Sequence, residues 1–262
     1  MELNDQNIQK LTALEFKGHT SSKHHNASSV IYYDSEYIYK IVDSKLFFPK
    51  QFERNIEYLI NNPLPNSPRI YEKILMDGEF YGYVTEYIKD GLTFREALNS
   101  DLTEQDRAKA IIDIHECLKT LHANNITIGD IHLDNLLIQE NKGYIVDLDY
   151  MRFKGEEKLF NSCYDIKQKN NLDKITEASV YSDITKIMLL SLSLLIKMNL
   201  ESLVNNLDKS IHLENIFDIV IQSTHNNKLI NYFERVMNGE AIYFDDFLIE
   251  NGYYKSNKIS IH

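Results

Sequence analysis

The chain has 262 residues, of which 43% are hydrophobic and 26% charged, an ordinary globular composition long enough for one sizeable core or two smaller ones. A formal net charge of −11 argues against a nucleic-acid binder, which needs a basic footprint, and disfavours adhesion to an anionic membrane. The two cysteines, Cys117 and Cys163, have no C-x-x-C partner or histidine at zinc spacing, so neither a zinc site nor a disulfide framework is expected, which fits a reducing cytoplasm.

Residues 1–29 are polar, with a loop-like cluster of Thr, Ser, His and Asn at 20–26, and the first residues lack the basic and apolar regions of a secretion signal. The β-branched and aromatic runs at 30–33 and 37–42, separated by Asp34-Ser35-Glu36, predict a hairpin. Pro49 can open a helix on which Phe52, Ile56, Leu59 and Ile60 recur at helical spacing. Residues 61–68 hold Pro63, Pro65 and Pro68 and break the chain. Two further strands are expected at 70–76 and 80–88 around Asp77-Gly78. Lys89-Asp90-Gly91 is a second break, which divides a strand-rich part, residues 1–88, from a mainly helical part, residues 89–262.

In the second part, Thr103 is a candidate N-cap for a helix to about residue 122 carrying Ala108, Ile111, Ile112, Ile114, Leu118 and Leu121, with Cys117 as a small core residue. Residues 152–178 read as polar and irregular. The run 187–196 contains Ser191 and Ser193, is too short to span a bilayer, and predicts a buried helix behind Tyr181-Ser182-Asp183. From about residue 215 two or three helices are expected, with turns at Asn226-Asn227 and Asn238-Gly239. Strands first and helices afterwards make an α+β chain.

The chemistry concentrates in I-G-D-I-H-L-D-N at 128–135 and V-D-L-D at 146–149. Asp130 is followed five positions later by Asn135, and Asp147 lies shortly beyond in an apolar run. Ile126, Ile128, Ile131, Leu133, Leu136, Leu137 and Ile138 flank these polar groups. A packed apolar frame of this kind can hold polar groups still, as a catalyst working by positioning and electrostatics requires.

On these motifs, over roughly residues 15–250, the chain resembles the protein-kinase-like superfamily. The G-D-x-H-x-x-N pattern at 129–135 and the Asp147-Leu148-Asp149-Tyr150 run are similar to the aminoglycoside and choline kinases, whereas the hinge-like strand and the Asp183 helix look like protein kinases. The resemblance implies a single catalytic domain of two lobes, a small antiparallel β-sheet N-lobe and a mostly helical C-lobe, using ATP and Mg²⁺. By the same resemblance Lys40 contacts the α- and β-phosphates. Glu53, with Glu57 one turn on, is expected to pair with Lys40. Thr85 would sit at the back of the nucleotide pocket, and the backbone near Glu86 and Ile88 would meet the adenine edge. Asp130 would accept the proton of an attacking hydroxyl, and Asn135, Asp147 and Asp149 would supply metal ligands. Asp183 matches the structural Asp that anchors the catalytic-loop backbone, although the same residue could serve as an N-cap.

Three features depart from the family. No G-x-G-x-x-G precedes Lys40; the corresponding stretch, 23–29, offers the hydroxyls of Ser28 and Ser29 instead. Ile128 replaces a structural His, and no A-P-E follows Tyr150, so control by loop phosphorylation is not expected. The implied activity is transfer of the γ-phosphate of ATP to a hydroxyl, most readily a Ser or Thr of a protein. The alternatives are a small hydroxylated molecule, as in the aminoglycoside and choline kinases, or a pseudokinase that only binds. The implied location is the cytoplasm, or a host cytosol into which an effector is delivered. The sequence leaves the oligomeric state open.

Overall fold

The computed structural model describes residues 1–2, 11, 14–21, 28–42, 49–156, 179–200, 218, 227–237 and 239–253. It is an α+β structure of small antiparallel sheets and several helices. The chain divides into two compact units, one of Met1–Gly91 with Asp147–Tyr150 and one of Leu92–Val146 with Met151–His262. The first unit thus ends three residues beyond the expected strand-rich part and takes back a short segment from the middle of the helical part.

The first unit is built on an antiparallel sheet of five strands: β1 (Glu15–Ser21), β2 (Ser28–Tyr33), β3 (Tyr37–Val42), β4 (Ile70–Met76) and β5 (Glu79–Glu86), in the order β1-β2-β3-β5-β4. Helix α1 (Pro49–Asn61) lies between β3 and β4 in the chain. The β2–β3 hairpin closes through Asp34, whose Oδ1 accepts the N–H groups of Glu36 and Tyr37, both at 2.8 Å, a side-chain mimic of a backbone turn. Asp77 (φ 54°) and Gly78 (φ 79°) make the β4–β5 turn with two left-handed residues, the geometry that matches strand twist. Strand β1 was not expected, because residues 1–29 read as polar. It is an edge strand with an irregularity at Phe16/Gly18, and it pairs with β2 through its backbone, so its sequence need not alternate. Phe52, Ile56 and Leu59 form the buried stripe of α1. A separate cluster centred on Leu11, Ile74 and Val84 is also buried in this unit.

The second unit opens with β6 (Leu92–Thr93) and a short helix α2 (Phe94–Ala97), followed by the long helix α3 (Glu104–Ala123). Thr103 caps α3, as its sequence predicts, and the structure adds a reciprocal bond to Asp106 that completes a capping box. Ala108, Ile111, Ile114, Cys117, Leu118 and Leu121 on α3 are fully buried. Strand β7 (Ile126–Thr127) pairs with β10 (Arg152–Phe153), while β8 (Leu136–Gln139) and β9 (Lys142–Ile145) form a hairpin to which β6 adds. Helix α4 (Val180–Ile196) is the expected buried helix, its N-cap being Ser179 and not Asp183. In the tail, α5 (Asn227–Met237) and α6 (Phe244–Glu250) pack Tyr232, Phe244 and Phe247 with ring centroids 5.3–5.4 Å apart. Most of the irregular segment expected at 152–178, the turn residues Asn226 and Asn238, and Cys163 lie outside the described residues. Among the described residues no helix is long and apolar enough to cross a membrane.

The β9–α3 contact is backbone to backbone: a Cβ on Gly143 would lie 2.0 Å from the Ala110 carbonyl oxygen, and the Gly143 N–H donates to the buried Asp113 (3.3 Å). Gly143→Ala is therefore expected to push β9 off α3, costing about 2 kcal/mol or more. Thermal unfolding should register this as a Tm lower by about 4–8 °C; an unchanged Tm would contradict the packing.

Candidate active site

In the first unit the site is a buried cation between two carboxylates. Lys40 on β3 is paired across the sheet with Tyr83 on β5, so their side chains share a face. The Lys40 Nζ reaches Asp147 Oδ1 at 2.5 Å and Asp149 Oδ2 at 2.7 Å. Tyr83 donates its hydroxyl to the same Asp149 Oδ2 (3.0 Å), and the Asn55 amide donates to the Asp149 carbonyl (2.8 Å). Phe52 packs on Tyr150 with centroids 5.5 Å apart, so α1 holds the returning segment at two residues of its 3₁₀ turn, Leu148–Tyr150. Asp147 has φ 60°, a left-handed conformation that Asp adopts more readily than most residues and that a surrounding structure must enforce.

Burial separates the two carboxylates. The Asp149 side chain is fully buried and that of Asp147 is 40% exposed. Burial pushes the Asp149 carboxyl up to about 6, against the pull of Lys40. Burial also works to lower the Lys40 ammonium, but the charges of Asp147 and Asp149 outweigh it and hold the group well above its usual range. Asp149 Oδ1 is buried with no hydrogen-bond partner.

In the second unit the loop between β7 and β8 carries Asp130 and Asn135. Ile128, Ile131 and Leu133 are buried and anchor it. Asp183 on α4, also fully buried, receives the Ile128 N–H on Oδ2 (2.7 Å) and the Gly129 N–H on Oδ1 (3.2 Å). Lys186, one turn on, donates to the Gly129 carbonyl (2.8 Å). Gly129 itself has φ 77°, which suits a residue without Cβ. The Asn135 amide donates to the Asp130 carbonyl (3.2 Å), and the Asn135 carbonyl accepts the Val146 N–H (2.9 Å). Arg95 clasps Asp134 with two bonds of 2.7 and 2.8 Å, which hold that carboxyl below its usual range. The Asp130 carboxylate is half-buried.

The structure therefore brings Lys40, Asp147 and Asp149 together, but it does not give Lys40 the expected helix partner. Glu53 and Glu57 both bond Lys73, at 2.7 and 2.5 Å. The reason is helical phase: at about 100° per residue, Asn55 lies about 200° from Glu53, so the α1 face turned to Asp149 carries the amide. Asn55 occupies a position of the stripe formed with Phe52, Ile56 and Leu59. A polar residue in an apolar stripe is the signal that could have found it. Lys186 inside the greasy α4 sequence is a second signal of the same kind.

The other expected residues are placed as follows. Thr85 on β5 donates its hydroxyl to the Arg69 carbonyl (3.1 Å), and the Glu86 N–H donates to the same oxygen (2.9 Å). Ile88 is buried, with its carbonyl accepting the Gly91 N–H at 3.3 Å. Ser29 is buried on β2, between Thr20 and Val42. The side chain of Ser28 and residues 22–27 lie outside the described residues. Among the described residues no group of three or more His, Cys, Asp or Glu is gathered to hold a metal ion. The chain matches no protein-family model and no curated protein.

The raised Asp149 carboxyl has a sign that can be measured. Its folded value of about 6 exceeds the ordinary 3.8, so the folded state holds the proton more tightly. The stability it contributes is complete below about pH 4 and is lost as pH rises through about 6. Unfolding free energies of wild type and Asp149→Asn should diverge in slope across that window, with the falling limb absent in the variant. Parallel curves would contradict the assignment.

Proposed function

We propose that the protein is an ATP- and Mg²⁺-dependent phosphotransferase of the protein-kinase-like type, two-lobed, which moves the γ-phosphate to a hydroxyl acceptor. The observation that carries this reading is the pairing of Lys40 with Asp147, residues 107 apart in the chain, because the kinase resemblance implies phosphate contact for one and metal for the other. The left-handed backbone at Asp147 supports it, since such strain gathers at functional positions.

The donor chemistry fits magnesium. Asp147 offers an exposed carboxylate, and Asp149 Oδ1 is a buried oxygen without a partner. Magnesium takes oxygen ligands and needs only one or two carboxylates when phosphates and water complete its shell. When bound, it supplies neutralisation of the charge on the transferring phosphate.

The chain's own groups take the remaining roles. Lys40 binds the α- and β-phosphates, with Asp149 and Tyr83 fixing its ammonium. Asp130 accepts the proton of the acceptor hydroxyl as the new O–P bond forms and the bond from the γ-phosphorus to its bridging oxygen breaks, releasing ADP. The strand exit at Thr85, Glu86 and Ile88 receives the adenine. The acceptor we favour is Ser or Thr of a protein. A small hydroxylated acceptor is the second reading, favoured by His132 two positions after Asp130 and by Asp149 two positions after Asp147.

Titration of a fluorescent ATP analogue with and without Mg²⁺ tests these roles. Asp147→Ala should abolish the Mg²⁺-dependent part of binding. Asp130→Ala should bind normally but transfer phosphate about 10²–10⁴-fold more slowly. Unchanged Mg²⁺-dependent affinity in the first variant would refute the metal assignment, and retained transfer in the second would remove Asp130 as base.

A further inference from the structure

A polar chain in the second unit runs from the C-terminal helices to the Asp130 loop, and its members beyond Asp183 are used by none of the roles above. Asp183 accepts three groups: Ile128 N–H and His122 Nε2 on Oδ2, at 2.7 and 3.2 Å, and Gly129 N–H on Oδ1, at 3.2 Å. The other ring nitrogen of His122, Nδ1, lies 2.9 Å from the hydroxyl of Tyr243, the residue before α6. A carboxylate only accepts, so Nε2 must carry a proton. In the neutral ring Nδ1 then accepts, and its donor is the Tyr243 hydroxyl. The His122 side chain is only 4% exposed, so solvent offers no ready substitute for that hydroxyl.

Tyr243 is itself held firmly. Lys119 on α3 lies 5.0 Å from the centroid of its ring and forms ion pairs with Asp245 and Asp246, at 2.7 and 3.0 Å, on the first turn of α6. Helix α6 is therefore clamped to α3 one turn before His122 and delivers the hydroxyl to it.

We propose that Tyr243 is a positioning residue for the Asp130 loop: Asp183 sets the tautomer of His122, and the Tyr243 hydroxyl, by meeting Nδ1, holds the ring so that Nε2–H steadies Asp183 against the Ile128 and Gly129 amides. The effect on turnover rests on the phosphotransferase reading; the effect on the loop does not. Hydrogen bonds that orient a functional group from behind commonly change activity about 10–100-fold when removed.

The test uses the full chain and Tyr243→Phe, which keeps the ring and removes only the hydroxyl. In ¹⁵N-histidine spectra, wild-type His122 should show its pyrrole-type nitrogen at Nε2 and a hydrogen-bonded pyridine-type Nδ1, and Y243F should lose the hydrogen-bond shift at Nδ1. Amide exchange at Ile128 and Gly129 should quicken about 10-fold in Y243F, and kcat should fall about 10-fold with the KM for ATP unchanged. His122→Gln, whose amide can still donate to Asp183, should make Y243F silent in both readouts. An Nδ1–H tautomer in wild type, or unchanged exchange at both amides in Y243F, would overturn the proposal. So would Y243F losing the same activity in the H122Q background. If the wild type transfers no phosphate, the phosphotransferase reading fails, while the tautomer and exchange measurements still decide the role of Tyr243.

Discussion

An ammonium group cannot leave water alone. Removing Lys40 from solvent costs several kcal/mol unless an opposite charge meets it, and in the first unit that charge comes from Asp147 and Asp149. Much else in this unit answers to that requirement. The segment Asp147–Tyr150 must return to a sheet whose five strands all lie before residue 92. Asn55 must face its backbone, Tyr83 must turn its hydroxyl to Asp149, and Phe52 must receive Tyr150. A buried ion pair of this kind adds little stability over apolar packing of the same shape. It does fix one arrangement of three chemically capable groups.

The second unit repeats the same physical device with the opposite sign. Here a buried carboxylate, Asp183, is met by hydrogen bonds from backbone N–H groups and a histidine, and it holds still the peptide that precedes Asp130. Lys186 grips the same peptide through the Gly129 carbonyl. In each unit, then, a buried charged side chain organises the backbone around further polar side chains, and packing against Ile56 or Ile128 keeps water away.

The parts of this arrangement differ in how plainly the sequence displays them. The β2–β3 hairpin, α1, the β4–β5 pair, α3 with its Thr103 cap and the buried α4 follow from period, turn chemistry and breaker residues, which act locally. Lys40, Asp130, Asn135, Asp147 and Asp183 stand out because a polar residue within an apolar run needs a reason. Strand β1 is not legible, because an edge strand pairs through its backbone and its side chains need not alternate. The partner of Lys40 is not legible for another reason. Glu53 and Glu57 lie on one face of α1, but which face meets the sheet is set by Phe52, Ile56 and Leu59, and those turn Asn55 toward Asp149 and the acids toward Lys73. Tyr243 and His122 meet across 121 residues, a distance at which local pattern carries no information.

The most direct test is transfer of label from γ-labelled ATP, with Mg²⁺, by purified protein mixed with cell extract, using Asp130→Ala as control and counting protein and small molecules separately. The account predicts label in a protein acceptor that the control lacks, or, on the second reading, in a small molecule alone. Label in neither would contradict phosphoryl transfer and leave a protein that keeps the buried Lys40 cluster for binding.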